Sequence, residues 1–261
     1  MKRTCRVLVQ LLRLQLSSSM AYRLSFWGAT MADGTMFMLQ LVVFSAIARQ
    51  GGVGDWTGDH LKVFVGSFLA LNGLEMATYF FGIISLPDQI RTGALDLALV
   101  KPVHPLLYVA FGHPNLGSAA MAPMGWGLVV WGAARLGFLT PGRIVAYLAA
   151  FLLMAVLLFA LMLLTRSLAF WLTRVGALDD LEGVLVDSSF RLPAPAIQGG
   201  MKLLLYVILP YGLLANLQAE AVFGGLTPGG WLLAVAVTAS ALTLSLRLWK
   251  RGLARYDSAN S

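Results

Sequence analysis

Apolar residues in this chain gather into six runs, each interrupted by few polar residues. A helix rises about 1.5 Å per residue, so about twenty apolar residues cross the roughly 30 Å hydrocarbon core of a bilayer. The pattern therefore predicts an all-α integral membrane protein with six transmembrane helices. The predicted spans are 25–48, 63–86, 115–134, 144–165, 202–222 and 230–249. No linker-rich or repeated segment divides the chain, so we expect one transmembrane domain over residues 1–261.

A different pattern precedes the first span. Apolar residues recur there at helical spacing, at Cys5, Leu8, Val9, Leu12 and Leu16. Arg6, Gln10 and Arg13 fall on the opposite side of such a helix. This arrangement predicts an amphipathic helix within 1–23 that lies in the membrane interface, with its arginines near anionic lipid headgroups. A helix packed on a cytoplasmic partner is the alternative interpretation.

The positive charges indicate how the spans are oriented. Of the 19 Lys and Arg residues, fifteen fall in segments that are cytoplasmic if the N-terminus is inside, which leaves four outside. Cytoplasmic segments of membrane proteins are enriched in these residues, so we expect both termini in the cytoplasm. The outer four are Arg49, Lys62, Arg135 and Arg143. Omitting the span at 115–134 would move the basic C-terminal segment outside, which argues for an even number of spans.

Composition also favours a membrane protein. Hydrophobic residues make up 58% of the chain and charged residues 12%, and the mean hydropathy is +0.77. Soluble domains carry about 25% charged residues, so this chain has too few to cover a water-exposed surface. The net charge of +7 is concentrated in the predicted cytoplasmic segments, so we expect no nucleic-acid partner.

The sequence contains none of the short motifs that would indicate a bound nucleotide or a catalytic centre. It has no G-x-x-x-x-G-K-[ST] phosphate-binding loop, no H-E-x-x-H metal motif and no G-x-S-x-G nucleophile motif. Its single Cys and three His residues show no ligand spacing and predict no metal site. We therefore expect no catalytic residue in this chain.

The segment between the second and third predicted spans carries the most information. It is bounded by prolines and faces the cytoplasm in the predicted topology. Ile90, Leu95 and Leu99 can share one side of a short helix. The residue before Pro102 is disfavoured in a helix, so the element is expected to end there.

This segment closely resembles a signature of the bacterial six-span group of ATP-binding-cassette (ABC) type-2 transporter permeases. The signature reads roughly I-x-x-G-x-L-D-x-x-L-x-K-P-x-x-P, and its positions here are Ile90, Gly93, Leu95, Asp96, Leu99, Lys101, Pro102 and Pro105. The C-terminal segment is similar to the W-x-R-G-L-x-R-Y-E/D-S-A ending of the same family. The matching residues there are Trp249, Arg251, Gly252, Leu253, Arg255, Tyr256, Asp257, Ser258 and Ala259. Further matches are Tyr22-Arg23 before the first span and Ile208-Leu209-Pro210 in the fifth.

The resemblance implies that residues 1–261 form the permease subunit of an ATP-driven exporter in the bacterial cytoplasmic (inner) membrane. Such a subunit is not itself an enzyme, and it forms a dimer with a second permease that is identical or related. Separate ABC ATPase subunits bind ATP and Mg, so the resemblance implies no cofactor in this chain. Membrane lipids surround the spans.

The resemblance also implies that segment 88–101 is a coupling helix seated in a groove of the ATPase. Leu95 and Leu99 would be its apolar anchors, while Asp96 and Lys101 would fix its register by charge. The positions that turn or stiffen the segment would be Gly93, Pro102 and Pro105. In the alternative interpretation the segment is an ordinary cytoplasmic loop, whose glycine and prolines only end helices.

Polar residues within the predicted spans are candidates for a translocation path. Asn72, Glu75 and Tyr79 share one helix face in the second span. A charge near the bilayer centre costs about 2.5–3.5 kcal/mol on insertion scales, so this face should contact protein or water. We interpret it as lining the path or the dimer seam, or as locking helix packing. Asp33 in the first span either pairs locally near the cytoplasmic interface or contacts substrate or Arg23.

An acidic run lies between the fourth and fifth predicted spans. It consists of Asp179, Asp180, Glu182 and Asp187. A solvated acidic face is the favoured interpretation, and a short amphipathic helix touching the ATPase is the alternative.

Two other functions are compatible with a polytopic membrane protein. A proton-coupled secondary transporter would use Glu75 or Asp33 and would work without an ATPase. An intramembrane lipid-modifying enzyme would turn over substrate alone, and the sequence shows no residue set at catalytic spacing to carry that reaction.

Overall fold

The structure is a computed structural model that describes residues 23–49, 53–115, 117–172 and 176–256. The interfacial helix predicted within 1–23 therefore lies almost entirely outside the described residues. Within them the chain forms helices, short 3-10 and π turns, and one isolated bridge between Val53 and Trp56, which confirms the all-α prediction. In chain order the helices are α1 (Arg23–Arg49), α2 (Gly58–Thr78), α3 (Phe80–Ile84), α4 (Leu86–Thr92), α5 (Asp96–Leu99), α6 (Pro105–Phe111), α7 (Met121–Arg135), α8 (Pro141–Ser167), α9 (Gly176–Arg191), α10 (Gly200–Leu203), α11 (Leu213–Phe223) and α12 (Pro228–Arg255).

Two of the described helices are long and apolar enough to cross a membrane. One is α8 with the 3-10 turn that follows it, Pro141–Phe170, and the other is α12, Pro228–Arg255. They coincide with the spans predicted over 144–165 and 230–249. Each begins with proline at its first position, directly after a threonine, where the missing N–H of proline leaves no hydrogen bond unmade.

A third candidate is a bent pair rather than a straight helix. The segments Gly200–Ile208 and Pro210–Phe223 meet at 85°, which is the geometry of a broken span or a re-entrant loop. The span predicted over 202–222, with Pro210 inside it, is therefore bent at that proline rather than straight. Leu209 leaves the helical region with φ −123° and ψ 78°, and Pro210 supplies no N–H to continue the ladder.

Of the three remaining predicted spans, two are interrupted or shifted. The first coincides with α1, whereas the second is divided into α2, α3 and α4 by breaks at Tyr79 and Ser85. The third begins as a 3-10 turn at Ser118 and becomes α-helical only at Met121. Asn115 accepts a hydrogen bond from the Gly117 backbone N–H at 3.0 Å, a local turn that competes with helix at the predicted start.

Backbone contacts between small residues bring α2 and α7 together. A Cβ added to Gly66 would lie 2.6 Å from the Gly125 carbonyl oxygen, and one added to Gly132 would lie 2.7 Å from the Asp59 carbonyl oxygen. Such close approach is available only to glycine, and it lets two helices pack backbone to backbone. On the other side of the molecule, α8 packs along α11 and α12.

Candidate functional site

A cavity of ≈ 820 Å³ lies between α1, α2, α8 and α9. Most of its wall is apolar, and the side chains include Val43 of α1, Phe68 of α2 and Leu158 of α8. Polar groups are few and come from α2, α8 and α9. An apolar cavity with a small number of convergent polar groups is the usual form of a small-molecule binding site.

The predicted polar strip on the second span is divided by the structure. Asn72 and Glu75 both line the cavity, and the Asn72 side-chain amide donates to Glu75 Oε1 at 2.9 Å. Only 3% of Glu75 is exposed. Tyr79 takes no part in the cavity lining, because its hydroxyl donates to the Ala155 carbonyl of α8 at 3.2 Å. Asn72 and Glu75 thus belong to the cavity and Tyr79 to helix packing.

A buried ion pair forms part of the cavity lining. Arg166 Nη2 at the end of α8 lies 3.0 Å from Glu182 Oε2 of α9, with each side chain 5% exposed. Glu182 also accepts hydrogen bonds from the Thr165 hydroxyl at 3.0 Å and the Tyr211 hydroxyl at 3.2 Å. These contacts hold α9 and the turn at Pro210–Gly212 against α8.

The sequence favours a solvated face for the acidic run on α9, and for Glu182 that interpretation is wrong. Helical periodicity places Glu182 and Val186 on the same side of α9, and both line the cavity. Asp180 is exposed at the rim, where Asp187 pairs with Arg191 at 2.9 Å. The charge sequence of α9 does not reveal which acid turns inward, because that depends on where Arg166 lies.

The segment predicted as one coupling helix consists of two short helices. Gly93 separates α4 from α5 with φ 75°, the left-handed conformation that glycine adopts without strain. Leu95 is 0% exposed, whereas Leu97 is 68% and Val100 78% exposed. Ile90 and Leu99 therefore lie on separate short helices, and Leu95, which the resemblance makes an apolar anchor for the ATPase, is buried within this chain.

The remaining signature residues complete this turn. Leu99 is partly exposed, and the Lys101 ammonium lies 5.9 Å from the centre of the Tyr108 ring. Pro105 is the first residue of α6, and His104 before it is extended, as expected for a residue preceding proline. Ile90 packs against the core from α4.

The C-terminal end of α12 packs beneath this segment. Phe170 lies between Trp249, with ring centres 5.7 Å apart, and Tyr256, at 6.2 Å. A Cβ added to Gly252 would overlap the Phe170 ring. Burial and the neighbouring Asp96 carboxylate raise the pKa of Tyr256 above its ordinary value. The two stretches that carried the family resemblance are thus neighbours in space.

Two further expectations concern Asp33 in the first span and the absence of a metal site. Asp33 lies within α1, but its side chain is outside the described set. In the described part of the chain, no three His, Cys, Asp or Glu side chains come together in a group that could hold a metal ion.

Long apolar helices beside a cavity are typical of a multi-pass membrane protein. The chain belongs to the ABC-2 family: the family described as ABC-2 family transporter protein matches residues 17–260. This match confirms the resemblance carried by the two signature stretches. Membership implies that the chain is a permease of an ABC transporter and that its partners are ABC ATPase subunits. No curated protein and no solved structure matches this chain.

Proposed function

We propose that this chain couples ATP hydrolysis by a separate ATPase to export of a molecule held in the cavity between α1, α2, α8 and α9. The observation that carries the proposal is the direct connection between that cavity and an exposed apolar turn. Helix α2 lines the cavity with Asn72 and Glu75 and continues through α3 and α4 to the turn at Leu97 and Val100.

The exposed apolar turn is suited to contact a protein. Leu97, Leu99 and Val100 form a small apolar tip, and the exposed Lys101 adds a charge beside it. Apolar side chains grouped at a loop tip mark an interaction site more often than a solvated surface. In this proposal the tip enters the ATPase groove, while Leu95 anchors the turn from inside the permease.

A stiff connection is required if movement of an ATPase is to reach the cavity. Leu86 and Leu95 are fully buried on either side of the Gly93 turn. Helix α4 packs on the 168–170 turn and on α8. Pro102 and Pro105 limit bending where the segment leads into α6. The turn is therefore expected to move as a unit with the ends of α2 and α8.

The remaining parts of the proposal follow from the predicted topology and the family. The turn and α9 face the cytoplasm, both termini are inside, and six spans cross a bacterial cytoplasmic membrane. The working complex contains a second permease, identical or related, and two ATPases that bind ATP and Mg. Lipids surround the apolar outer faces of α8 and α12, on which Leu152 and Leu232 are exposed.

Co-purification with the partner ABC ATPase tests the proposal. Replacing Leu97 and Val100 together by Asp should release the ATPase while the permease stays in the membrane. Leu139→Asp is the matched control, because Leu139 is an exposed apolar residue in the connection between α7 and α8. If the double variant retains the ATPase as the control does, the coupling assignment is wrong.

A proton-coupled secondary transporter is the second candidate, favoured by the buried carboxylate of Glu75 in the cavity. That mechanism would move cargo in vesicles that contain the permease without any ATPase. ATP-dependent transport that stops when the ATPase is left out decides against it.

A further inference from the structure

Among the described residues, the acidic and basic side chains that line the cavity do not balance. Four carboxyl groups and two guanidinium groups of that part of the chain line it, so the acidic side chains outnumber the basic ones by two. Each guanidinium is already in an ion pair, Arg166 with Glu182 at 3.0 Å and Arg191 with Asp187 at 2.9 Å. Among the described residues, Glu75 and Asp180 have no ion-pair partner.

Of Glu75 and Asp180, Glu75 says more about what the cavity binds, because it is buried. Its hydrogen-bond partner Asn72 is neutral, and the nearby carboxylate of Glu182 acts on it with the same sign of charge. A carboxylate buried without a countercharge is costly, and a cation brought beside it lowers that cost by stabilising the ionised form. The cavity therefore presents, within an apolar wall, a carboxyl group that a bound cation would stabilise as the carboxylate.

The apolar wall limits what the cation can be. Phe44, Phe68 and Phe80 are among the lining side chains, and aromatic faces attract organic cations. A small hydrated metal ion would gain nothing from such walls, and it would need several oxygen ligands. A molecule with an apolar body and a single positive charge would match both the walls and Glu75.

We propose that the cavity binds amphipathic organic cations, with the positive charge beside Glu75 and the apolar body against α1, α2 and α8. That such cations are the transported cargo rests on the proposed transport function, whereas their binding in the cavity does not. Asp180 at the exposed rim attracts the cation toward the cavity.

Two probes of the same shape and opposite charge test the proposal. Tetraphenylphosphonium is a lipophilic cation, and tetraphenylborate is the matching anion. Binding of radiolabelled tetraphenylphosphonium to the purified full chain in nanodiscs should be saturable, with empty nanodiscs subtracted as the lipid background. Unlabelled tetraphenylphosphonium should compete with it, and tetraphenylborate should not.

Variants locate the site. Glu75→Gln should weaken tetraphenylphosphonium binding by about tenfold or more, because losing one partner of a desolvated charge pair reduces affinity on that scale. Glu75→Asp keeps the charge and should retain more binding than Glu75→Gln. Asp59→Asn is the control, since Asp59 also lies on α2 but pairs with Lys62 away from the cavity.

Several outcomes would overturn the inference. One is competition by tetraphenylborate as strong as by the cation, and another is equal binding by wild type and Glu75→Gln. The comparison of the two probes on the wild-type chain needs no variant, so it stands even if Glu75→Gln fails to fold. If the ATPase co-purifies but the permease shows no preference for the cation, the ligand class is wrong and the transport function stands. If the cation binds in a Glu75-dependent way but no ATPase co-purifies, the transport mechanism is wrong and the ligand class stands.

Discussion

Tyr256, directly after α12, lies beside Asp96, the first residue of α5, and this contact joins the end of α12 to the exposed turn. Phe170 fills the space behind Tyr256, between Trp249 and Gly252. The exposed turn is therefore supported by two other helices, α8 and α12.

The first prediction is a dependence of stability on alkaline pH. The pKa of Tyr256 is raised above 10.0 by burial and then by Asp96, so the folded protein favours the neutral phenol. This contribution to stability is fully present below pH 10.0 and is lost as the pH rises through the higher folded-state pKa. Tyr256→Phe removes it.

Thermal unfolding measured between about pH 9 and pH 12 checks this prediction. The unfolding temperature of the wild type should fall more steeply than that of Tyr256→Phe. Other buried tyrosines titrate equally in both proteins, so the difference between the curves isolates Tyr256. Parallel curves of unfolding temperature against pH for the two proteins would show that burial and Asp96 do not raise the pKa of Tyr256.

The second prediction concerns the buried ion pair. Arg166→Ala should lower the free energy of unfolding by about 3–5 kcal/mol, because it removes one partner of a buried ion pair. Arg191→Ala is the matched control: its pair with Asp187 is exposed, and such pairs contribute about 0–1 kcal/mol. Denaturant unfolding in detergent measures both. Combining Arg166→Met with Glu182→Leu should restore much of the loss, and a double variant as unstable as Arg166→Ala would contradict the assignment.

The third prediction concerns the contact beneath the exposed turn. Gly252→Ala places a methyl group against the Phe170 ring, and overpacking of this kind typically costs about 1–3 kcal/mol. Displacing Phe170 should loosen α4, so ATP hydrolysis by the assembled complex should continue with less transport per ATP. Gly229 lies on the same helix as Gly252, and a Cβ added there would meet its nearest atom at 3.8 Å. Gly229→Ala is therefore the control and should leave the ratio of transport to ATP hydrolysis unchanged. An unchanged ratio in Gly252→Ala would show that this contact is only structural.

The fourth prediction tests the seam between α2 and α7 with two glycines on one helix. Gly125→Ala would drive a methyl group into the backbone of α2 at Ala70, and it should destabilise the chain by about 1–3 kcal/mol. Gly127→Ala has open space around it and should be neutral or slightly stabilising, since alanine is the better helix former. Differential scanning fluorimetry compares the two. Equal effects would mean that α2 and α7 do not meet at Gly125.

These glycines show why the seam was missed in the sequence. The spacing is seven residues between Gly66 and Gly73 on α2, and again seven between Gly125 and Gly132 on α7. The usual small-residue motif has a spacing of four. Two turns of helix bring residues at that spacing to nearly the same side. The spacing is visible in the sequence, but it does not say which helix is the partner.

The sequence by itself determined the protein class, the all-α fold, the positions of α8 and α12, and the family. Those properties depend on local hydropathy and on residue order, which are the same in any conformation of the chain. Only the tertiary structure decided that Leu95 is buried, that Glu182 meets Arg166, and that Glu75 rather than Tyr79 lines the cavity. A helix presents side chains in every direction, and which of them turns inward is fixed by the neighbours that pack against it.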